Sequence, residues 1–333
     1  MQILKTLHNL DPYNLLINQS KTLPLQIYNY TPQSPKYDEV TREARGLCLS
    51  GNKVVARGFR RFFNLGENPN ETFGGPFRTF EKLDGSLILL YFLDCPEFKG
   101  WRINTRNGFG DNILGEVPAK ELFWRNFDYP LDNLDPEITY TFELVGPENR
   151  VVRDYPEGVY LTGAFDKNGM EVNQPNWRNR PQEFDCKSLG HVRELLEKYE
   201  KEDPTYEGFV LLDEKGERLK VKSSQYIFLH RKIQNHKLLD EDIVKLILLG
   251  EDSEFLCYFP EYKSKFNELH TKIYKTIDII TTTYNMYKNI DSQKEFAISV
   301  KHLPYAWIYF LLRKNNSINN ILLENLSKFA ITI

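Results

Sequence analysis

One nine-residue stretch constrains this chain more than any other: Thr79-Phe80-Glu81-Lys82-Leu83-Asp84-Gly85-Ser86-Leu87. Asp84-Gly85 is a turn signal, because glycine accepts φ > 0 and aspartate can bond its own backbone. The run Ser86-Leu87-Ile88-Leu89-Leu90-Tyr91-Phe92 that follows is rich in strand formers. The pattern therefore predicts Lys82 at a loop mouth, at the edge of a sheet. A lysine in such a place is usually a solvated surface charge. The alternative is a nucleophilic amine.

The rest of the chain supplies sheets around that loop. Residues 1–20 show helical periodicity through Leu4, Leu7 and Leu10, and residues 25–30 alternate with period two, as a strand does. Residues 44–49 and 53–57 predict a hairpin about Ser50-Gly51-Asn52. Arg60 to Glu67 mixes cations with aromatics ahead of a Gly/Pro-rich loop. Residues 101–105 predict a strand ending in Arg106-Asn107-Gly108, and residues 111–127 a helix. Residues 138–145 and 158–165 predict strands, and residues 188–200 a helix. Residues 206–212 and 218–222 predict a second hairpin.

Beyond about residue 224 the strand patterns vanish. Helical spacing takes over, as in Phe266, Leu269, Ile273 and Ile277. The expected fold is α+β. A domain of antiparallel sheets occupies residues 1–237, and an all-helical domain occupies residues 238–333.

At 333 residues the chain can bury a full core. Its net charge of −3 excludes a bulk electrostatic binder of nucleic acid, so any such contact must come from local patches. Cys48, Cys95, Cys186 and Cys257 lie too far apart for a zinc knuckle or a CxxC motif and read as reduced thiols of an intracellular protein. There is no signal-peptide pattern and no apolar run long enough to span a bilayer, which leads to the expectation of a cytoplasmic protein without a membrane partner. The most apolar segment, residues 303–312, holds a proline and predicts a buried helix.

Five groups in the first domain put charge at sheet edges: Lys82 with Asp84, Arg45, Glu143, Glu207, and Lys220 with Lys222. Lys220 and Lys222 are two apart on a strand and share a face. Alone, each is a common surface feature. Together they suit one reaction. Nearby cations and partial burial favour the neutral, nucleophilic form of a lysine amine. Lys220 and Lys222 can supply those cations and hold a triphosphate. Glu143 and Glu207 can bind ribose hydroxyls or the waters of a metal ion, since Mg²⁺ keeps several waters. Phe63 can stack on a purine. The sum is nucleotidyl transfer, in which a lysine attacks the α-phosphate of a nucleoside triphosphate and pyrophosphate leaves.

These residues resemble a known set. Lys82-Leu83-Asp84-Gly85 is similar to the KxDG motif of the covalent nucleotidyltransferases: ATP-dependent DNA and RNA ligases and mRNA capping enzymes. Phe142-Glu143-Leu144-Val145-Gly146-Pro147, Glu207-Gly208-Phe209-Val210 and Lys220-Val221-Lys222 resemble the later motifs of that superfamily, in order. Arg45-Gly46 stands where the family has an Arg-Gly pair. Within the superfamily the pattern most resembles the phage-type RNA ligase 1 family, through Glu43-Ala44-Arg45-Gly46, the run from Arg61 to Pro69, and Lys220-Val221-Lys222-Ser223. The resemblance spans about residues 25–232. Two positions depart from it: Arg61 and Arg106 stand where the family has lysines, and arginine keeps the charge but changes the geometry.

The resemblance implies a lysyl-AMP intermediate on Lys82, with ATP and Mg²⁺ or Mn²⁺ as cofactors. It implies transfer of AMP to an RNA 5′-phosphate, then sealing by an RNA 3′-hydroxyl. Arg45, Lys220 and Lys222 would contact the phosphates, Phe63 adenine, Glu143 the ribose, and Glu207 the ribose or the metal through water. Asp84 and Gly85 would shape the lysine turn. Tyr30 and Arg61 would line the ATP pocket, and Arg106 would contact RNA. The expected partner is RNA, tRNA being one candidate, with an end-healing kinase or phosphatase as a further one, and the protein itself is expected to be a monomer. The rival readings are a DNA ligase, a GTP-dependent capping-type enzyme and a non-catalytic RNA-binding relative. The helical tail lacks the strand patterns of the OB-fold that follows the catalytic domain in DNA ligases and capping enzymes.

Overall fold

The computed structural model describes residues 2–7, 9–70, 72–230, 238–314 and 317–331. The chain divides into two compact units, Met1–Lys232 and Ile233–Ile333. The boundary expected at residues 237 and 238 adjoins a stretch, 231–237, that lies outside the described residues.

In chain order the first unit begins with α1 (Gln2–Lys5), β1 (Leu15–Gln19), β2 (Gln26–Tyr30), α2 (Glu39–Glu43), β3 (Arg45–Ser50), β4 (Lys53–Ala56), β5 (Phe63–Asn64) and β6 (Phe77–Glu81). There follow β7 (Ser86–Cys95), β8 (Phe98–Thr105), β9 (Ile113–Leu114), β10 (Val117–Pro118), α3 (Ala119–Asn126), β11 (Thr139–Val145) and β12 (Gly158–Phe165). It closes with β13 (Glu183–Phe184), α4 (Leu189–Glu202), β14 (Gly208–Asp213), β15 (Arg218–Lys222) and α5 (Ser224–His230).

Three larger sheets result, in the orders β1-β2-β3-β4, β12-β11-β7-β8 and β13-β6-β14-β15-β5. All their pairings are antiparallel except β15 with β5. The strand β7 is the spine. Its Ile88 and Leu90 pack with Phe123, Phe142 and Trp177 on one face. Its Leu87, Leu89 and Tyr91 pack with Leu25, Ile27, Cys48 and Ala56 of the first sheet on the other. Burial on both faces explains why this strand reads as an unbroken apolar run and not as an alternating one. At roughly 2–5 kcal/mol for a buried leucine cut to alanine, this strand is among the costliest to disturb. The third sheet carries α4 on one face, where Val192 and Leu196 meet Phe209, Leu211, Leu219 and Val221. That leaves Lys220 and Lys222, of opposite parity on β15, for the other face.

Two sequence expectations need correction. Residues 1–20 are α-helical only over α1, with a single 3₁₀ turn at Asp11–Tyr13. Pro12 and the left-handed Asn14 (φ 47°) break the periodicity, and β1 then pairs with β2 from Leu15 opposite Tyr30 to Gln19 opposite Gln26. Leu4, Leu7 and Leu10 still pack together, against the outer face of the first sheet. Residues 111–127 are helical only over α3. Gly115 (φ +60°) turns the small ribbon of β9 and β10 ahead of it.

The second unit is helical throughout its described residues: α6 (Asp240–Leu248), α7 (Asp252–Tyr258), α8 (Lys263–Tyr287), α9 (Gln293–Val300), α10 (Ala306–Leu312), α11 (Ile318–Glu324) and α12 (Leu326–Ala330). Phe266, Leu269, Ile273 and Ile280 form the buried stripe of α8. The apolar segment 303–312 becomes α10, with Ile308 and Tyr309 buried. Among the described residues no helix is long and apolar enough to cross a membrane.

Candidate active site

The stretch Lys82-Leu83-Asp84-Gly85 is the link between β6 of the third sheet and β7 of the second. Lys82 thus sits at the seam of two sheets, its side chain 20% exposed, rather than on one sheet edge. Its backbone N–H donates to Gly208 O at 2.9 Å, which fixes the lysine to the start of β14. Asp84 does not bond its own turn. It is 5% exposed and accepts hydrogen bonds from Tyr226 Oη at 2.8 Å, Val152 N at 2.9 Å and Arg153 N at 3.1 Å. Gly85 is needed for space and not for a left-handed φ. A Cβ there would lie 2.2 Å from Leu144 O.

Around Lys82 the structure gathers the expected carboxylates and cations. Glu207, ending the approach to β14, pairs with Lys82 at 2.7 Å and with Lys222 at 3.4 Å. Glu143, on β11, accepts the Gly85 N–H at 3.1 Å. Burial pushes its carboxyl up to about 7; Lys82 and Arg45 oppose the rise and Glu207 adds to it. Lys220 lies near Glu67, whose carboxyl is held below its ordinary value. Burial alone would raise it, but Lys220, Lys36 and two hydrogen bonds from Asn64 outweigh that.

A second cluster surrounds Tyr30. The Arg61 and Arg106 guanidiniums lie 4.2 and 4.3 Å from its ring centroid. The Arg45 guanidinium interacts electrostatically with this phenol and lies 4.7 Å from the Phe59 ring. Burial would raise the phenol, yet Arg106, Arg61, Arg45 and Lys220 together bring it below its ordinary value. Burial in turn pulls Arg45 down to about 10. Such a concentration of arginines suits a multiply charged anion. Phe63 is not open to the cleft: it is 3% exposed and packs on Tyr37 at 5.2 Å. The neighbouring Phe62 ring is the one beside Lys220, at 5.6 Å, and beside Arg45, at 5.7 Å.

Some residues of the site were not legible in the sequence. Tyr226 reaches back from α5 to Asp84, and only its place four residues after Lys222 hints at this. Arg153 grips the lysine turn twice. Its backbone bonds Asp84, and its guanidinium bonds Glu81, the residue before Lys82, at 2.8 Å. Asn149 accepts Ser86 Oγ at 2.8 Å and donates to Leu144 O at 2.5 Å, so the 147–153 loop braces both ends of the turn.

The donor set fits a divalent ion held mainly by water and phosphate. Among the described residues no group of three or more His, Cys, Asp or Glu could hold a metal alone. Glu143 and Glu207 are electrostatically coupled across Lys82, and two carboxylates of this kind suit an ion that keeps most of its waters.

Comparison with known proteins follows the same lines. A family model described as RNA ligase matches residues 43–238. A protein of Autographa californica nuclear polyhedrosis virus, named for polynucleotide kinase and RNA ligase functions, is 28% identical over 93% of this chain and 48% of its own. An RNA ligase of Rhodothermus phage RM378 is 26% identical over 78% of this chain and 75% of its own. The chain therefore spans about half the length of the first relative and three quarters of the second. A solved structure named as an ATP-dependent DNA ligase of Aquifex aeolicus aligns with a TM-score of 0.50 at 15% identity, covering 84% of this chain and 80% of that one. At that identity it speaks for the fold alone.

Proposed function

The chain belongs to this RNA ligase family, and from that premise we propose that it is an ATP-dependent RNA ligase working through a lysyl-AMP intermediate on Lys82. The observation that carries the reading is the Lys82–Glu207–Lys222 arrangement at the seam of two sheets, with Glu143 beside it. In the first step the Lys82 amine, having given up a proton, attacks the α-phosphorus of ATP. A P–N bond forms, the bond to the bridging oxygen breaks, and pyrophosphate leaves. Glu207 is the nearest base to take that proton, 2.7 Å away.

In the second step a 5′-phosphate oxygen of RNA attacks the same phosphorus and the lysine leaves as amine. The product is RNA capped by a 5′–5′ pyrophosphate. In the third step a 3′-hydroxyl attacks the RNA 5′-phosphorus, a 3′–5′ phosphodiester forms, and AMP leaves. Little of this needs new covalent chemistry from the protein. Charge neutralisation and alignment carry it. Lys220, Lys222 and Arg45 suit the α- and leaving phosphates. Tyr30, Arg61 and Arg106 suit the outer phosphates or the RNA 5′-phosphate. A Mg²⁺ or Mn²⁺ ion, held through water by Glu143 and Glu207, would add positive charge at the α-phosphate.

The finer reading is repair of broken RNA bearing 5′-phosphate and 3′-hydroxyl ends, tRNA among the candidates, by a cytoplasmic monomer. The helical unit would choose the RNA, and a kinase/phosphatase would prepare the ends. The kinase function named for the viral relative supports that last partner. Incubation with α-labelled ATP and Mg²⁺ tests the central claim. The chain becomes labelled, and Lys82→Ala does not. Equal labelling of both, labelling by GTP in place of ATP, or sealing of nicked DNA alone would sink it.

A further inference from the structure

Four cationic residues converge on Tyr30 from separate parts of the chain, and the question is what sets their spacing. Arg45 opens β3, and Arg106 follows β8. Among the described residues, Arg45, Arg61 and Arg106 form no salt bridge with a carboxylate; Glu143 and the Tyr30 phenol attract Arg45, while Arg45 and Arg106 still feel mutual repulsion. Something must hold their backbones together against it.

We propose that Asn29 is a positioning residue: its buried amide ties the Arg45-Gly46 and Arg106 backbones at one spacing, and so shapes the cluster for a polyphosphate. This rests on the reading of the cluster as the phosphate site of the proposed ligase.

The backbone geometry carries the argument. β2 and β3 pair regularly until Tyr28 opposite Leu47, then shift so that Asn29 faces Arg45. Gly46 is the extra residue of a β-bulge, in the left-handed region at φ +73°. A bulge leaves one ladder N–H without its backbone acceptor, and a buried N–H without a partner is destabilising. Asn29 Oδ1 supplies the missing acceptor, taking the Gly46 N–H at 2.9 Å. The other end of the same amide, Nδ2, donates to Arg106 O at 2.7 Å.

The Asn29 side chain is thus satisfied on both sides, and the residue is 1% exposed. The bulge also lets the two arginines approach. A Cβ on Gly46 would lie 3.3 Å from the Arg106 Cα, so any other residue there would push the Arg106 backbone away by a few tenths of an ångström and would have to hold the left-handed φ. Asn29 does not face the cleft itself. Its neighbour Tyr30 does, and acts as the floor on which Arg61 and Arg106 rest. Alanine at position 29 would release two backbone segments at once. Aspartate would keep the acceptor for Gly46 but set a carboxylate oxygen against the Arg106 carbonyl.

The test needs no ligase activity. The full chain is titrated calorimetrically with inorganic tripolyphosphate, as parent, Asn29→Ala, Asn29→Asp and Leu122→Ala. Leu122 is a core residue of α3 and serves as a control for lost stability. The expected result is binding by the parent and at least a tenfold weaker Kd for both Asn29 variants, with Leu122→Ala within twofold of the parent. In lysyl-AMP formation the Asn29 variants should then raise KM for ATP more than they lower kcat. Parental affinity in Asn29→Ala, an equal loss in Leu122→Ala, or no tripolyphosphate binding by the parent would overturn the proposal. Loss in Asn29→Ala with full affinity in Asn29→Asp would overturn the two-sided tie. A parent that binds tripolyphosphate yet never labels with ATP would instead overturn the ligase reading and leave this one standing.

Discussion

The Nζ of Lys82 lies 2.7 Å from one oxygen of Glu207, and the Nζ of Lys222 lies 3.4 Å from the other. One carboxylate, its side chain only 4% exposed, therefore spans two lysines delivered by different strands. Cross-strand register explains the second contact: Gly208, next to Glu207, pairs with Lys222. Gly208 is held at φ +136°, and a Cβ there would lie 2.1 Å from Val221 O, so this approach tolerates no side chain. Buried charges held this way are costly to break one at a time.

Glu207→Gln should therefore fold and fail to react. The amide keeps the shape but leaves two half-buried lysines without their shared countercharge and removes the nearest proton acceptor. Lysyl-AMP formation, followed by labelling with α-labelled ATP, is expected to fall by on the order of a hundredfold or more. A loss under tenfold would remove Glu207 from the chemistry.

Glu143 gives a pH signature. In the fold its carboxyl is raised to about 7, against 4.5 for the free group, chiefly by burial. Between those two values the folded chain binds more protons than the unfolded chain. Its contribution to stability is therefore greatest below about pH 4.5 and is lost as pH rises towards 7. Glutamine does not titrate. Ligand-free calorimetry of the full chain should show Glu143→Gln gaining in Tm relative to the parent between pH 5 and pH 8. A difference that stays constant over that range would show that the carboxyl is not raised.

How much of this was legible beforehand depends on the range of each interaction. The strands around Lys82 announced themselves through local pattern, because β7 is apolar on both faces and the hairpin of β14 and β15 carries its own turn. The set Lys82, Glu143, Glu207, Lys220 and Lys222 was legible because order and spacing survive in the chain. Contacts at long sequence separation were not. Tyr226 finds Asp84 across 142 residues, and Asn29 finds Arg106 across 77. Nothing in composition or periodicity encodes such pairs. The orientation of Phe62 and Phe63 was equally hidden, since Phe63 enters the strand β5 and is buried while Phe62, just before it, stays partly exposed, and only the sheet decides where that strand begins.

Tyr226→Phe isolates one of those distant contacts. The ring stays in place and the hydroxyl is lost, so Asp84 keeps two of its three donors. A hydrogen bond to a charged acceptor is worth about 1.5–3 kcal/mol. Chemical denaturation should show a loss within that range, and lysyl-AMP formation should slow as the Lys82 turn loosens. An unchanged midpoint would show that the backbone donors of Val152 and Arg153 hold Asp84 unaided.

Gly85→Ala should be the most disruptive small change in the turn. The residue lies between Asp84, fixed from three sides, and Ser86, which opens β7 and donates its hydroxyl to Asn149. A methyl group at position 85 would meet Leu144 O at 2.2 Å and Val145 Cγ1 at 2.8 Å. The first is backbone of β11, whose Leu144 pairs with Ser86 in the ladder, so it cannot swing away as a side chain can. Relief requires β7 and β11 to separate at the point where Glu143 accepts the Gly85 N–H. Overpacking of this kind costs about 1–3 kcal/mol, and the lost hydrogen bond to a buried carboxylate adds to it. The expected result is a Tm lowered by several degrees and no detectable lysyl-AMP, since the shift moves Glu143 away from Lys82. A Gly85→Ala chain with the parent's Tm and labelling rate would mean that the seam between the two sheets is looser than the contacts of Leu144 require.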